Sequence, residues 1–214
     1  MPKQNRVTPT GDIIATAARG TLMGNRGCLH DDRQRLRRPY ALRRWILCVL
    51  EFRGRHRKVM TPGRYTELFF LDEATGLAAG HRPCAECQRA RYVRFRETWA
   101  AANPELASSP MPRADDMDRV LHDERIGPGR EKRTYVEALS RLPFGAMAAD
   151  DEGRPFLVLE RAWSPWSPGG YGPAVPKPKG LSVRVLTPRS IVRCLSVGYP
   201  VEVHASARPA AASS

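Results

Sequence analysis

The sequence has few cysteines and no long apolar run. No stretch approaches the ~18 consecutive apolar residues that a membrane-spanning helix needs, and the opening MPKQNRVTPTGD lacks the apolar core of a secretion signal. The five cysteines are sparse and odd in number, unlike the dense, even set of a small secreted disulfide scaffold. We therefore expect a soluble cytoplasmic protein, with no membrane contact, whose cysteines are reduced or bind a metal.

Lysine is also scarce, with 5 residues against 30 arginines. A GC-rich genome would explain that preference, but it does not explain where the charge lies. Residues 1–100 carry 20 basic and 9 acidic side chains, a net charge of +11, whereas residues 101–214 carry 15 and 13, a net charge of +2. A strongly basic half predicts an anionic partner, most commonly DNA or another nucleic acid.

Composition divides the 214 residues into two predicted units. Residues 1–19 are predicted to be flexible, and residues 20–100 form a basic module. Residues 101–116, which are rich in Ala, Pro and Ser, are typical of a linker. Residues 117–205 form a second unit, interrupted by a Pro- and Gly-rich stretch at 164–180, and residues 206–214 are a predicted disordered tail.

Hydrophobic patterns predict an α+β fold in both units. In the first unit we predict strands over residues 44–52 and 65–71, joined as a β-hairpin. A helix capped by Asp72 then runs to Ala79 before Gly80, and another covers residues 88–102. In the second unit the predicted helices cover residues 117–124, 131–141 and 188–197, and the predicted strands cover residues 145–149, 155–160, 181–186 and 201–203.

A Cys-x-x-Cys motif, Cys84 to Cys87, follows the first predicted helix. Two thiolates on one tight turn can bind the same tetrahedral zinc ion. The same spacing also occurs in redox pairs, usually at a helix start after the first strand of a βαβ unit. A third alternative is two isolated thiols with no shared function. The motif favours zinc, because here a helix precedes it and Pro83 fixes the turn.

A tetrahedral site needs two further ligands. Cys48 lies in the predicted strand 44–52, and His30 lies in the Gly-rich segment MGNRGCLHDD together with Cys28. We take Cys48 and His30 as the candidates, with Cys28 as an alternative to either. His56, in a basic turn, is a weaker option.

The segment FFLDEATGLAAGHRPCAECQR, residues 69–89, resembles the Ada-type metal-binding domain. Two aromatics, an alanine-rich helix, Ala-Gly and Arg-Pro-Cys-x-x-Cys stand in matching order, and the resemblance extends weakly over residues 21–99. It implies a small α/β module made of a β-hairpin, a helix, the Cys-x-x-Cys knuckle and a second helix. A zinc ion bound by Cys84 and Cys87 would stabilise this module. The family's first ligand pair, in a Cys-Arg-Pro-x-Cys motif, is absent; Cys48 would replace one member and His30 or Cys28 the other.

The resemblance implies zinc-dependent DNA binding, in repair or regulation. An alternative is an enzyme that accepts a methyl or alkyl group from damaged DNA on a zinc-bound cysteine, with Cys48 as the nucleophile. A histidine ligand disfavours that chemistry, since it leaves less negative charge on the metal than four thiolates do. A third possibility is a zinc-stabilised protein-interaction module.

Arginines in three clusters flank the proposed metal site in sequence. Because an arginine can bind phosphate through two parallel hydrogen bonds, they are the predicted nucleic-acid contacts. They are Arg37, Arg38, Arg43, Arg44, Arg53, Arg55, Arg57, Arg89 and Arg91.

Overall fold

The computed structural model describes residues 1–55 and 58–207. It has mixed α+β architecture, which confirms the predicted fold class. Within the described residues there are four α-helices and two sheets. The helices are α1 (Glu73–Ala78), α2 (Arg89–Ala102), α3 (Ala114–Arg125) and α4 (Arg189–Ser196), and short 3-10 turns cover Leu139–Arg141 and Ala205–Ala207. None of the described helices is long and apolar enough to cross a membrane.

The first sheet contains six strands in the order β2-β1-β5-β3-β4-β6. They are β1 (Gln4–Val7), β2 (Ile13–Ala15), β3 (Leu22–Asn25), β4 (Ile46–Cys48), β5 (Leu68–Phe70) and β6 (Arg82–Pro83). β3 lies antiparallel between β4 and β5, so the predicted β-hairpin of residues 44–52 with 65–71 is wrong, because the earlier strand β3 separates the two. β6 pairs in parallel with β4. The β4–β6 pairing matters for the site, since it brings the chain after Pro83 next to the end of β4.

The second sheet contains seven strands. They are β7 (Tyr135–Ala138), β8 (Met147–Ala149), β9 (Pro155–Val158), β10 (Ala162–Ser167), β11 (Gly170–Tyr171), β12 (Val175–Pro176) and β13 (Ser182–Val185). Six of them follow the order β11-β10-β9-β8-β13-β7, and β12 pairs with β10. The Pro- and Gly-rich stretch at 164–180 therefore contributes strands, which its composition did not predict.

Helix α1 is fixed by local signals that the sequence displays. The Asp72 carboxylate accepts hydrogen bonds from the Thr75 backbone N–H and hydroxyl, at 2.8 and 2.7 Å, and so caps the helix. Gly80, with φ of +86°, ends it in the left-handed conformation that glycine favours. Both predicted boundary signals are confirmed. The short helix places Arg82–Pro83 back along β4.

One apolar core extends across both predicted units. Tyr92, Phe95 and Trp99 of α2 pack in the same cluster as Met117 of α3 and Ile191 of α4. Inside the predicted linker, the fully buried Asn103 donates from its amide to the carbonyls of Trp99 and Ser190, at 2.8 and 3.1 Å. In this structure the two units share one core, rather than forming separate modules joined by a linker.

The two ends of the described chain also differ from expectation. Within residues 1–19, β1 pairs with β2 and β5, so this segment belongs to the first sheet and is not a flexible arm. At the other end, the Ser206 hydroxyl accepts a hydrogen bond from the Tyr171 N–H at 2.8 Å, and Ala207 is buried. Residues 208–214 of the predicted tail lie outside the described residues.

The predicted helix over residues 131–141 is wrong. Residues Tyr135–Ala138 form β7, which pairs antiparallel with β13 along four residue pairs. Glu and Ala in this segment are good helix formers, but propensity is a weak signal, and the cross-strand pairing of Tyr135 and Val136 overrides it. Residues 201–203 form no strand.

Candidate metal centre

Cys48, Cys84 and Cys87 meet at the edge of the first sheet. Cys48 ends β4, and Cys84 follows β6, whose parallel pairing with β4 places it alongside. The Cys84 N–H donates to the Leu47 carbonyl at 2.8 Å, and the Gln88 side-chain amide donates to the same oxygen at 2.9 Å. These bonds fix the knuckle against β4, so that the three sulfur atoms lie within 4.8 Å of one another.

The three thiols have strongly divergent acidities because they share hydrogen bonds. The pKa of Cys84 is lowered to about 5, mainly by the hydrogen bond from the Cys48 thiol, with help from backbone N–H groups of the knuckle. The Glu86 N–H, for example, lies 3.4 Å from the Cys84 sulfur. The pKa of Cys48 is raised by its hydrogen bond to Cys84 and by burial, and burial raises the pKa of Cys87. The cluster therefore favours one thiolate before any metal binds.

The donor set fits zinc. Zinc binds thiolate sulfur at ~2.3 Å in tetrahedral geometry, so three ligand sulfurs must lie within roughly 4 Å of each other, close to the spread found here. Within the described part of the chain, no fourth Cys, His, Asp or Glu joins the cluster. Three protein ligands leave one coordination position of a tetrahedral ion to another group.

A cavity of about 340 Å³ adjoins the cluster, and all three cysteines line it. Its other walls combine aromatic and aliphatic side chains with a few charged groups. Prominent among them are Met23, Val49, Phe52, Tyr65, Phe69, Arg55, Glu67 and Glu86. Cys48 and Cys84 are 8% exposed, and Cys87 is more open. A ligand in the cavity would therefore meet the sulfur atoms directly.

His30, the fourth predicted ligand, does not join the three cysteines. Its Nε2 lies 3.2 Å from the Thr61 carbonyl, which can only accept, so that nitrogen carries the proton. Its Nδ1 then accepts from the Thr66 hydroxyl at 2.6 Å. Both ring nitrogens are thus engaged within the fold, and the buried side chain joins its loop to the segment before β5. Cys28 is exposed and lies outside the cluster.

The nine predicted arginine contacts differ in exposure and in whether they form ion pairs. Five are exposed and form no ion pair with a carboxylate among the described residues: Arg38, Arg43, Arg44, Arg53 and Arg89. Two are exposed but paired, Arg37 with Asp31 and Arg55 with Glu86, each at 2.9 Å. Arg57 lies outside the described residues, as does His56.

Arg91 differs from the others because the fold engages it. Its guanidinium pairs with the buried Glu73 and with Glu202, at 2.7 Å from the latter, and donates to the Pro200 carbonyl at 2.9 Å. These contacts tie α2 to the start of α1 and to the C-terminal segment. Arg91 is a structural side chain in this arrangement.

Sequence reasoning missed several residues around the site. Phe52 and Tyr65 line the cavity, and their signal was their position at the end of one predicted strand and the start of the other. It also missed the buried Arg26 and Arg125 and the half-buried Lys132, which come from distant segments and carry no local motif. Only the folded chain brings them together.

Comparisons of this chain with protein-family models, with curated proteins and with solved structures give no match, so the proposals below depend on the geometry and chemistry described here.

Proposed function

We propose that the protein binds one zinc ion through Cys48, Cys84 and Cys87 and uses the basic surface around this centre to bind nucleic acid. The observation that carries the proposal is the convergence of three thiols on the wall of a 340 Å³ cavity. Zinc would hold the end of β4, the knuckle and the start of α2 together. Its remaining coordination position would be filled from the cavity side.

The nucleic-acid part of the proposal is supported by the charge near the centre. Arg55 lines the cavity and Arg53 lies two residues away, both with guanidinium groups near the Phe52 ring, at 5.3 and 5.0 Å. Arg89 is exposed at the start of α2, just beyond Cys87. Cationic side chains over an aromatic ring beside a cavity suit the phosphates and bases of a flexible strand.

Metal analysis of the purified full chain tests the zinc centre. We expect about one zinc per chain in the wild type, since three thiolates and one further ligand complete a tetrahedral site. Cys84→Ser should lose the metal. Cys28→Ser is the matched control, because that cysteine is exposed and outside the cluster. A metal-free wild type, or equal metal loss in both variants, would contradict the proposed centre.

Salt-dependent binding tests the nucleic-acid partner. We expect the zinc-loaded protein to bind single- or double-stranded oligonucleotides with an affinity that falls steeply as salt rises. Arg53→Gln and Arg89→Gln should each lower the slope of log affinity against log salt by about 1, the loss of about one phosphate contact. Arg184→Gln, exposed on β13, is the control and should leave the slope unchanged. No binding at low salt would leave the interaction-module reading instead.

A second candidate function, acceptance of an alkyl group, is favoured by one observation. The sulfurs line the cavity, and Cys87 is the most open of the three. In that reaction a thiolate would attack the methyl carbon of a backbone phosphotriester. The C–S bond would form as the C–O bond breaks, and the electron pair would stay on the phosphodiester oxygen.

Mass spectrometry after incubation with methylated DNA tests this candidate. The expected result is one added methyl group on one peptide that contains Cys48, Cys84 or Cys87. An unmodified protein that still binds zinc and DNA would exclude alkyl acceptance and leave the binding function standing.

A further inference from the structure

Four basic side chains line a second, smaller cavity; Arg130 is exposed, and the other three come from distant segments and are at least half-buried. Arg26 follows β3, Arg125 ends α3, and Lys132 lies in the turn segment beyond it. The cavity has a volume of about 180 Å³, and none of its lining residues lines the cavity at the cysteines. It is therefore a separate feature of the molecule.

Arg26 is buried, and one of its hydrogen-bond donors lacks a partner among the described residues. The side chain is 1% exposed, its Nη1 donates to the Gly11 carbonyl at 2.9 Å, and its Nε lies 3.3 Å from His81 Nε2. The Nη2 group is buried and has no partner within the described part of the chain. Buried polar groups are rarely left unpaired, so an unpaired guanidinium donor on a cavity wall indicates a missing acceptor.

Arg125 is likewise a buried arginine with one unpaired donor among the described residues. It is fully buried, its Nη1 donates to the Gly80 carbonyl at 2.8 Å, and its Nη2 donates to the Arg43 carbonyl. Its Nε is buried and has no partner among the described residues. The guanidinium carbons of Arg26 and Arg125 each lie 4.0 Å from the centre of the Trp45 ring, so one indole positions both cations.

Lys132 brings a third positive charge to the cavity. Its ammonium donates to the Ala78 carbonyl. Burial and the neighbouring arginines lower the pKa of Lys132 to about 7, and burial lowers the pKa of Arg26 and Arg125 to about 9 each. Burial is the main cause of all three shifts, and repulsion from Arg26 adds to the shifts of Arg125 and Lys132.

Carboxylates on the same wall offset this charge only in part, since Asp12 raises the pKa of Arg26 by less than burial lowers it. Asp12 and Glu131 line the cavity, yet within the described residues neither lies within ion-pair distance of the three cations. The Asp12 carboxylate accepts from the Thr10 hydroxyl at 2.7 Å, and the nearby Asp118 is already paired with Arg82. Burying an unpaired charge is costly, so we expect an anion from outside the chain to bind here.

We infer that this cavity is a binding site for a phosphate group, held by Arg26, Arg125 and Lys132. A volume of 180 Å³ corresponds to about six waters at about 30 Å³ each, which suits a phosphate but not a whole nucleoside. Donors that converge from three separate segments suit a tetrahedral oxyanion, and guanidinium groups bind phosphate oxygens strongly. The group would be free phosphate or the terminal phosphomonoester of a longer molecule.

Calorimetric titration of the full chain with inorganic phosphate, at constant ionic strength in chloride, tests the site. We expect saturable binding that Lys132→Met and Arg26→Gln each weaken about tenfold or more, as the loss of one charge-assisted hydrogen bond implies. Lys179→Met, exposed on another part of the surface, is the control and should bind like the wild type. Lys132→Met decides the outcome if Arg26→Gln fails to fold.

Absence of phosphate binding in the wild type, or equal binding by Lys132→Met and Lys179→Met, would overturn the inference. Oligonucleotides with and without a 5′-phosphate identify the source of the group. Tighter binding of the phosphorylated strand, lost in Lys132→Met, assigns the site to a nucleic-acid end. Equal binding of both strands, with inorganic phosphate still bound, assigns it to a small ligand. Neither result changes what the zinc measurements say about the three cysteines, because the two cavities share no lining residue.

Discussion

The guanidinium of Arg82 binds the carboxylate of Asp118 through two hydrogen bonds, Nε to Oδ1 at 2.9 Å and Nη2 to Oδ2 at 2.7 Å. Both side chains are buried, at 2% and 3% exposure. Arg82 lies in β6, two residues before Cys84, whereas Asp118 lies in α3. This pair therefore ties the cysteine knuckle to the second half of the chain.

Asp118→Asn should destabilise the fold strongly. The variant keeps the shape of the side chain but leaves the Arg82 charge buried without a counter-charge, a change that typically costs about 3–5 kcal/mol. Urea denaturation of the zinc-loaded protein measures the loss. Asp150→Asn is the control, because Asp150 pairs with Arg154 on the surface and should matter little. Equal losses in both variants would contradict a structural role for the buried pair.

His30→Ala and Cys48→Ser should differ in their effect on metal content. His30→Ala removes two hydrogen bonds inside the fold, and leaving the buried partners unpaired should cost about 1–3 kcal/mol while the zinc content stays near that of the wild type. Cys48→Ser should lose most of the zinc. Elemental analysis and urea denaturation of both variants check this. Zinc loss in His30→Ala would instead support the ligand assignment made from the sequence.

The local features of the site could be predicted from the sequence. The Asp72 cap, the Gly80 stop and helix α2 each depend on signals a few residues apart, and all three are present. The closeness of Cys84 and Cys87 could be predicted in the same way, since the Cys-x-x-Cys spacing alone brings the two thiols together. Cys48 joined the candidate set only because the knuckle lacked partners. The parallel pairing of β4 with β6 is what brings its sulfur into the cluster.

Long-range features could not be predicted. Arginine usually lies at the surface, so nothing in the sequence distinguishes the buried Arg26 from exposed Arg38. Arg91 illustrates the reverse problem, since its carboxylate partners lie at residues 73 and 202. The Tyr171 hydroxyl likewise donates to the capping carboxylate of Asp72 at 2.8 Å across the two halves. Such contacts depend on topology, which short-range patterns do not encode.

Gly80→Ala should be more costly than Gly153→Ala, although both glycines have positive φ, +86° and +80°. An alanine at either position suffers backbone strain of about 1–2 kcal/mol. At Gly80 an added Cβ would also lie 2.5 Å from Arg125 Cδ, whereas at Gly153 nothing lies within 4 Å. Overpacking should add about 1–3 kcal/mol at Gly80. The difference between the two unfolding free energies measures how rigidly Arg125 is held, and equal values would contradict tight packing there.

Lys132 should make the stability of the phosphate-free protein depend on pH. Its pKa is about 7 in the folded protein against an ordinary value of 10.5, because burial and the charges of Arg26 and Arg125 disfavour the ammonium form. Asp12 and Glu131, the carboxylates on the same cavity wall, do not restore it. Between about pH 7 and pH 10.5 the unfolded chain therefore binds more protons than the folded chain. Unfolding free energy should rise with pH in this window, with a contribution from this one group of up to about 1.4 kcal/mol per pH unit.

Lys132→Met isolates this contribution from those of the cysteines and arginines that titrate in or near the same window. Urea denaturation across the window should show a stability advantage of the variant over the wild type that shrinks steadily as pH rises. Above about pH 7 the wild type must release the Lys132 proton when it folds, and the free-energy cost of that release falls as pH approaches 10.5. Phosphate should flatten the same curve, since a bound anion stabilises the ammonium form and raises its pKa towards the ordinary value. A difference that is independent of pH would show that the Lys132 ammonium keeps its charge in the folded protein without help from an anion.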